Sequence, residues 1–172
     1  GGEFKALVQV DLATKARTTV EKPDWDVQSA IFSKSGKYLV VNVNKDARTE
    51  IRIVEVATQK QVQLPKLPAG DITAVRIAKD DRRMAFYLNG SRSPSNLYVW
   101  DMAGGQAKQL TQNLSLKIDP EHLVDAQVVR FKSYDGVEIP GILYKPHAAS
   151  SGTKAPALVW VHGGPGGQTR VN

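Results

Sequence analysis

The sequence predicts a mainly β fold: partial blades built on a four-stranded repeat of about 45 residues, then the first strands of a second, different sheet. Three observations carry this expectation. Residues 27–44, VQSAIFSKSGKYLVVNVN, align without a gap to residues 72–89, ITAVRIAKDDRRMAFYLN. An acidic-small turn recurs as VDLAT (10–14), VEVAT (54–58) and WDMAG (100–104). Beyond residue 126 the style changes to a hairpin, an unbroken apolar run and a glycine cluster.

In the aligned pair the apolar positions coincide: Val27 with Ile72, Ala30 with Val75, Phe32 with Ile77, Leu39 with Met84, Val41 with Phe86 and Val43 with Leu88. Ser35-Gly36 in one copy and Asp80-Asp81 in the other are turn-formers between the halves. Each copy therefore reads as two short strands joined by a tight hairpin. The strands ALVQV, EIRIV and NLYVW lead into the three acidic-small turns, and short strands such as KQVQL and AKQL follow two of them. Two hairpins per unit give four strands, which is the arithmetic of a β-propeller blade. Tandem sandwich hairpins are the alternative, but they do not require the same turn at the same place three times. The region 1–111 is thus expected to hold about two and a half blades, and a closed propeller has roughly four to eight.

From 112 to 125, QNLSLKIDPEHLVD shows no strand alternation. Asp119-Pro120 can open a short helical turn, with Asp119 as its cap and Glu121 in its first turn. We read this stretch as a linker packed on a surface, with His122 exposed in it. The region 126–172 then begins with AQVVRFKSYDGVEIPGILYKP, two strands around Asp135-Gly136. Pro140-Gly141 marks an edge or a bulge in the second strand. His147 falls in the polar loop HAASSGTKAP, where no role is expected. ALVWV (157–161), apolar without alternation and bounded by Pro156 and glycines, is expected to be a strand buried on both faces.

The cluster HGGPGG (162–167) follows that strand directly. No Gly-Lys-Ser/Thr follows it and its spacing is not Gly-x-Gly-x-x-Gly, so neither phosphate-loop pattern is met. A plain turn and an oxyanion loop remain. In an oxyanion loop, backbone N–H groups face a carbonyl carbon under attack, and glycine admits both the backbone conformation and the close approach.

The order of repeat, linker, FKSYDGVEIPGILYKP and VWVHGGPGGQ resembles the prolyl oligopeptidase family of serine peptidases, in the branch of acylaminoacyl peptidases and dipeptidyl aminopeptidases. The resemblance extends over essentially the whole chain. It implies that 1–111 is the end of a β-propeller, 112–125 a linker, and 126–172 the first strands of an α/β-hydrolase sheet. It further implies hydrolysis of short peptides through an acyl-enzyme, with the Gly164 N–H as oxyanion donor, Gly163 giving the loop room to turn and Pro165 stiffening it. His162 is read as a structural hydrogen-bonder; branches with tyrosine at this place use its hydroxyl, and this sequence departs from them.

The family's nucleophile lies in Gly-x-Ser-x-Gly, and none of the serines here has glycine at both the second position before it and the second after it. The chain also begins Gly-Gly-Glu-Phe without an initiator Met. We therefore expect a fragment that is inactive alone, whose incomplete sheet leads to self-association or needs a companion hydrolase fragment. The alternatives carried forward are a non-catalytic propeller module that binds peptides or proteins, and an esterase of the same fold. Net charge +6 comes from scattered Lys and Arg without aromatic interleaving, so nucleic-acid binding is not expected. No stretch is long enough to span a membrane. Three dispersed histidines and no cysteine imply no metal and no disulfide, and no cofactor is implied. A soluble protein is expected, and the absence of cysteine suits the cytoplasm and the periplasm equally.

Overall fold

The computed structural model describes residues 2–164 and 166–171. A two-stranded hairpin comes first, β1 (Leu7–Val10) paired antiparallel with β2 (Arg17–Glu21). Next is a four-stranded antiparallel meander of β3 (Asp26–Phe32), β4 (Tyr38–Lys45), β5 (Arg48–Glu55) and β6 (Lys60–Gln61). A second meander repeats it with β7 (Asp71–Ile77), β8 (Arg83–Gly90), β9 (Ser93–Asp101) and β10 (Lys108–Gln109). The predicted hairpins, the short closing strands and the three acidic-small turns all stand where the repeat places them.

The repeat extends to individual hydrogen bonds. In the first meander the Lys37 N–H donates to Ser35 Oγ (3.1 Å), and in the second the Arg82 N–H donates to Asp80 Oδ1 (3.1 Å). Ser35 also donates to Asp81 (2.9 Å), tying the two equivalent turns together. In the acidic-small turns, Asp11 accepts from the Thr14 N–H (2.7 Å), Asp101 from the Ala103 N–H (2.9 Å) and Glu55 from the Thr58 hydroxyl (2.7 Å). One short acidic side chain satisfies turn donors that no strand can reach.

The alternation of the strands decides the packing. Val27, Leu39, Val41 and Val43 lie on one face of the first meander, with Leu7 and Trp25 packed against them. Val40, Ile51 and Ile53 lie on its other face, in one core with Ile72, Met84, Phe86, Leu88, Tyr98 and Trp100 of the second meander. Residues equivalent in the repeat thus face the preceding sheet in both copies. Met84, Phe86 and Ile53 are fully buried, and each such side chain stabilises the fold by about 1.5–3 kcal/mol. Phe86 and Tyr98 also stack, with ring centroids 5.7 Å apart. Phe32 departs from its counterpart Ile77: it is exposed, since the two strands β1 and β2 cover only part of that face.

After β10 the chain crosses the second meander on side-chain anchors. Buried Asn96 accepts from the Asn113 N–H (2.9 Å) and the Thr111 hydroxyl (3.2 Å). Pro120–His122 form a 3-10 turn capped by Asp119, which accepts from the Glu121 N–H at 2.9 Å. Then β11 (Gln127–Lys132) pairs with β12 (Glu138–Leu143) about the Asp135-Gly136 turn, with Gly136 at φ +84°. The register is unbroken, so Pro140 marks an edge strand and no bulge.

One expectation fails. ALVWV is not a strand and is not buried: Leu158, Val159, Trp160 and Val161 are 80–89% exposed. A strand exists only through hydrogen bonds to a neighbouring strand, and no described residue pairs with this stretch. Its composition suits a buried strand, while nothing in these residues supplies the sheet around it. Of the sheet expected over 126–172, the described residues form only the β11–β12 hairpin.

Candidate functional site

An open cavity of about 1260 Å³ lies beside the β4–β5 turn. The β4–β5 turn and Trp25 form one wall, the β11–β12 hairpin with the following loop a second, and Ala157, Leu158, Trp160, His162, Gln168 and Thr169 a third. Trp160 and His162 line it from the third wall, and Arg130 from the second.

The glycine cluster forms a tight loop at its rim. The Gly167 N–H donates to the Gly164 carbonyl (3.2 Å), and a Cβ on Gly167 would stand 3.2 Å from the Gly163 carbonyl oxygen. Gly164 has φ +86°, in the left-handed region that favours glycine. A Cβ at Gly163 or Gly164 would meet nothing within 4 Å, so crowding does not require glycine at either position, and only the backbone angle at Gly164 favours it. Among the described residues no hydrogen bond engages the Gly163 or Gly164 N–H, and both are exposed. His162 Nδ1 lies 3.2 Å from the Gly163 carbonyl oxygen, a contact within the loop itself. The predicted stiffening by Pro165 falls on a residue outside those described. Of the three predicted site residues that are described, only His162 lines the cavity; Gly163 and Gly164 lie beyond its wall.

The other two histidines stand apart. His122 is exposed on the 3-10 turn, and His147 Nε2 lies 3.3 Å from the Leu123 carbonyl oxygen. Among the described residues no group of His, Asp and Glu could hold a metal ion, and no helix is long and apolar enough to cross a membrane.

The sequence reading missed a polar cluster at the cavity wall. Arg130 of β11 donates to Asp46 of the β4–β5 turn (2.6 Å) and pairs with Glu138 of β12 (3.2 Å). Beside it, Arg48 donates to the Ala126 carbonyl (3.5 Å) and Asn44 donates to Gln168 Oε1 (2.8 Å). The local signal was slight: Asp46-Ala47 reads as a two-residue turn, and its partners lie far along the chain.

No protein-family model matches the chain, and no curated protein matches it in sequence. Solved structures do match in fold. A prolyl endopeptidase, from work on two such enzymes and the role of inter-domain dynamics in catalysis and specificity, aligns at TM-score 0.64 and 19% identity, over 84% of this chain and 22% of that one. A puromycin hydrolase aligns at TM-score 0.66 and 18% identity, over 84% of this chain and 23% of its own. Prolyl oligopeptidase B from Galerina marginata aligns at TM-score 0.64 and 16% identity, over 84% of this chain and 21% of its own. This chain therefore spans less than a quarter of the length of these structures, and it shares the fold of the matching stretch of each.

Proposed function

We propose that these residues belong to a serine peptidase of the prolyl oligopeptidase family, as the end of its β-propeller (1–111), a linker (112–125) and the first strands of its α/β-hydrolase domain (126–172). The observation that carries this reading is the fold match to a prolyl endopeptidase across 84% of the chain, together with the glycine cluster that follows the repeats and the hairpin in the sequence. In the complete protein ALVWV would gain strand partners, consistent with its apolar composition and present exposure.

The chemistry proposed is acyl transfer from short peptides. A serine oxygen attacks the scissile carbonyl, and the carbonyl oxygen takes up the negative charge of the tetrahedral intermediate. The Gly164 N–H, uncommitted among the described residues, is the proposed first donor to that oxygen. The N–H after the nucleophile would be the second. Gly163 leaves space at the reacting carbon, and His162 braces the loop through its contact with the Gly163 carbonyl. Removing one oxyanion donor in such sites costs about 10²–10³-fold in kcat. The 172 residues contain no Gly-x-Ser-x-Gly and therefore do not turn over alone.

The test is intact mass before and after a fluorophosphonate probe. The 172-residue chain remains unlabelled near 18.8 kDa, while a longer polypeptide carrying this sequence takes up one probe. A longer polypeptide that stays unlabelled overturns the peptidase reading and favours a non-catalytic peptide-binding module. A labelled polypeptide that cleaves esters but not peptides makes it an esterase of the same fold.

A further inference from the structure

The two arms of the glycine loop are held differently. Upstream, Val159 and Val161 are 84% and 86% exposed, whereas downstream Val171 is only 2% exposed. The difference traces to the β4–β5 turn, whose central residues Asp46 and Ala47 both have positive φ, 52° and 63°. That left-handed pair makes the tight two-residue turn that matches strand twist, and it presents the Ala47 carbonyl outward.

Three contacts land on this turn and its flanks within four residues of the downstream arm. The Val171 N–H donates to the Ala47 carbonyl (3.1 Å), Asn44 Nδ2 donates to Gln168 Oε1 (2.8 Å), and Arg170 donates to Thr49 Oγ1 (2.7 Å). The turn is itself fixed from a third direction by Asp46, which accepts from Arg130 of β11. Buried strands stand behind it: Val43 of β4 and Ile53 of β5 are fully buried.

We infer that the β4–β5 turn anchors the downstream arm of the glycine loop, and that Asn44 and Thr49 are positioning residues for that loop. The loop is thereby held by the first four-stranded sheet across more than 100 residues of sequence, as the separation of 124 between Asn44 and Gln168 shows. The anchor stands on these contacts alone; its consequence for catalysis rests on the peptidase reading. If that reading holds, loss of the anchor lets the Gly164 N–H wander from the oxyanion. That lowers kcat and leaves KM nearly unchanged, because the oxyanion contact is strongest in the transition state.

The test uses amide hydrogen exchange on the 172-residue chain, comparing the parent sequence with an Asn44→Ala, Thr49→Val double variant. Both substitutions keep the backbone donors of β4 and β5, and the Ile53 amide reports that the sheet is intact. The expected result is a protected Val171 amide that exchanges about tenfold faster in the variant, with Ile53 unchanged. Thr49→Ser, which retains the hydroxyl, should behave as the parent. A Val171 amide that exchanges freely in the parent chain, or one unaffected in the double variant, overturns the anchor. Should Ile53 change as well, the Thr49→Val single variant, which keeps the Asn44 contact, decides by the same criterion. The second arm places the double variant in a longer, probe-reactive polypeptide. A lowered kcat at unchanged KM supports the positioning role, and an unchanged kcat overturns it. Correct exchange behaviour in a protein that never reacts with the probe leaves the anchor standing and removes the peptidase reading.

Discussion

Phe86 and Phe32 show how much a single position reveals. Both follow the strand alternation, and both coincide with an apolar partner in the repeat, yet Phe86 is fully buried and Phe32 is 64% exposed. Alternation names the face on which a side chain lies; it does not say how far the next sheet extends over that face. Phe86→Ala is expected to cost about 3–5 kcal/mol, read as a lowered midpoint in chemical denaturation, because the cavity would open in the core shared by both meanders. Glu50 carries a different expectation. Hydrogen bonds, first from Lys45 and then from Arg52, hold its carboxyl below the usual range. A lowered folded-state value means that the ionised form stabilises the fold at pH above the ordinary glutamate range. The contribution is lost as pH falls through the lowered value. Glu50→Gln should therefore reduce stability at pH 7, and the gap to the parent chain should close on acidification, with denaturation midpoints as the measure. The glycines of the candidate loop were legible as glycines. That the Gly164 N–H would be uncommitted among the described residues was not, because it depends on which groups happen to come near.

At the scale of elements, hairpins were readable because their determinants are local. Asp135-Gly136 supplies the turn residues and the flanking alternation supplies the register, so β11 and β12 form where predicted. The Asp119 cap was legible for the same reason: the side chain and the N–H it accepts from are two residues apart. ALVWV was misread, since burial on both faces is a property of its neighbours. Its exposure gives the third expectation. The 172-residue chain should associate with itself through the apolar run and the open edge of β12. Val159→Lys with Val161→Lys should shift it toward the monomer in sedimentation velocity, without moving the denaturation midpoint of the meanders. A parent chain that is monomeric at high concentration would refute this.

At the scale of the whole molecule, equivalent residues of the repeat face the same way, so each sheet covers the one before it. Leu39, Val41 and Val43 meet β1 and the residues around Trp25, while Met84, Phe86 and Leu88 meet Val40, Ile51 and Ile53. This arrangement puts the β4–β5 turn at the junction of the first meander, the β11–β12 hairpin and the downstream arm of the glycine loop. The sequence by itself determined the two meanders, their turns, the capped 3-10 turn and the later hairpin. In each of these the deciding groups lie within about one hairpin of one another, where alternation and turn chemistry act directly. The tertiary structure alone decided that Phe32 is left uncovered, that ALVWV has no strand to pair with among the described residues, and that Gln168, Arg170 and Val171 dock on a turn more than 100 residues earlier. Those outcomes depend on which distant surfaces meet, and an apolar side chain or a backbone carbonyl is compatible with many partners until packing selects one.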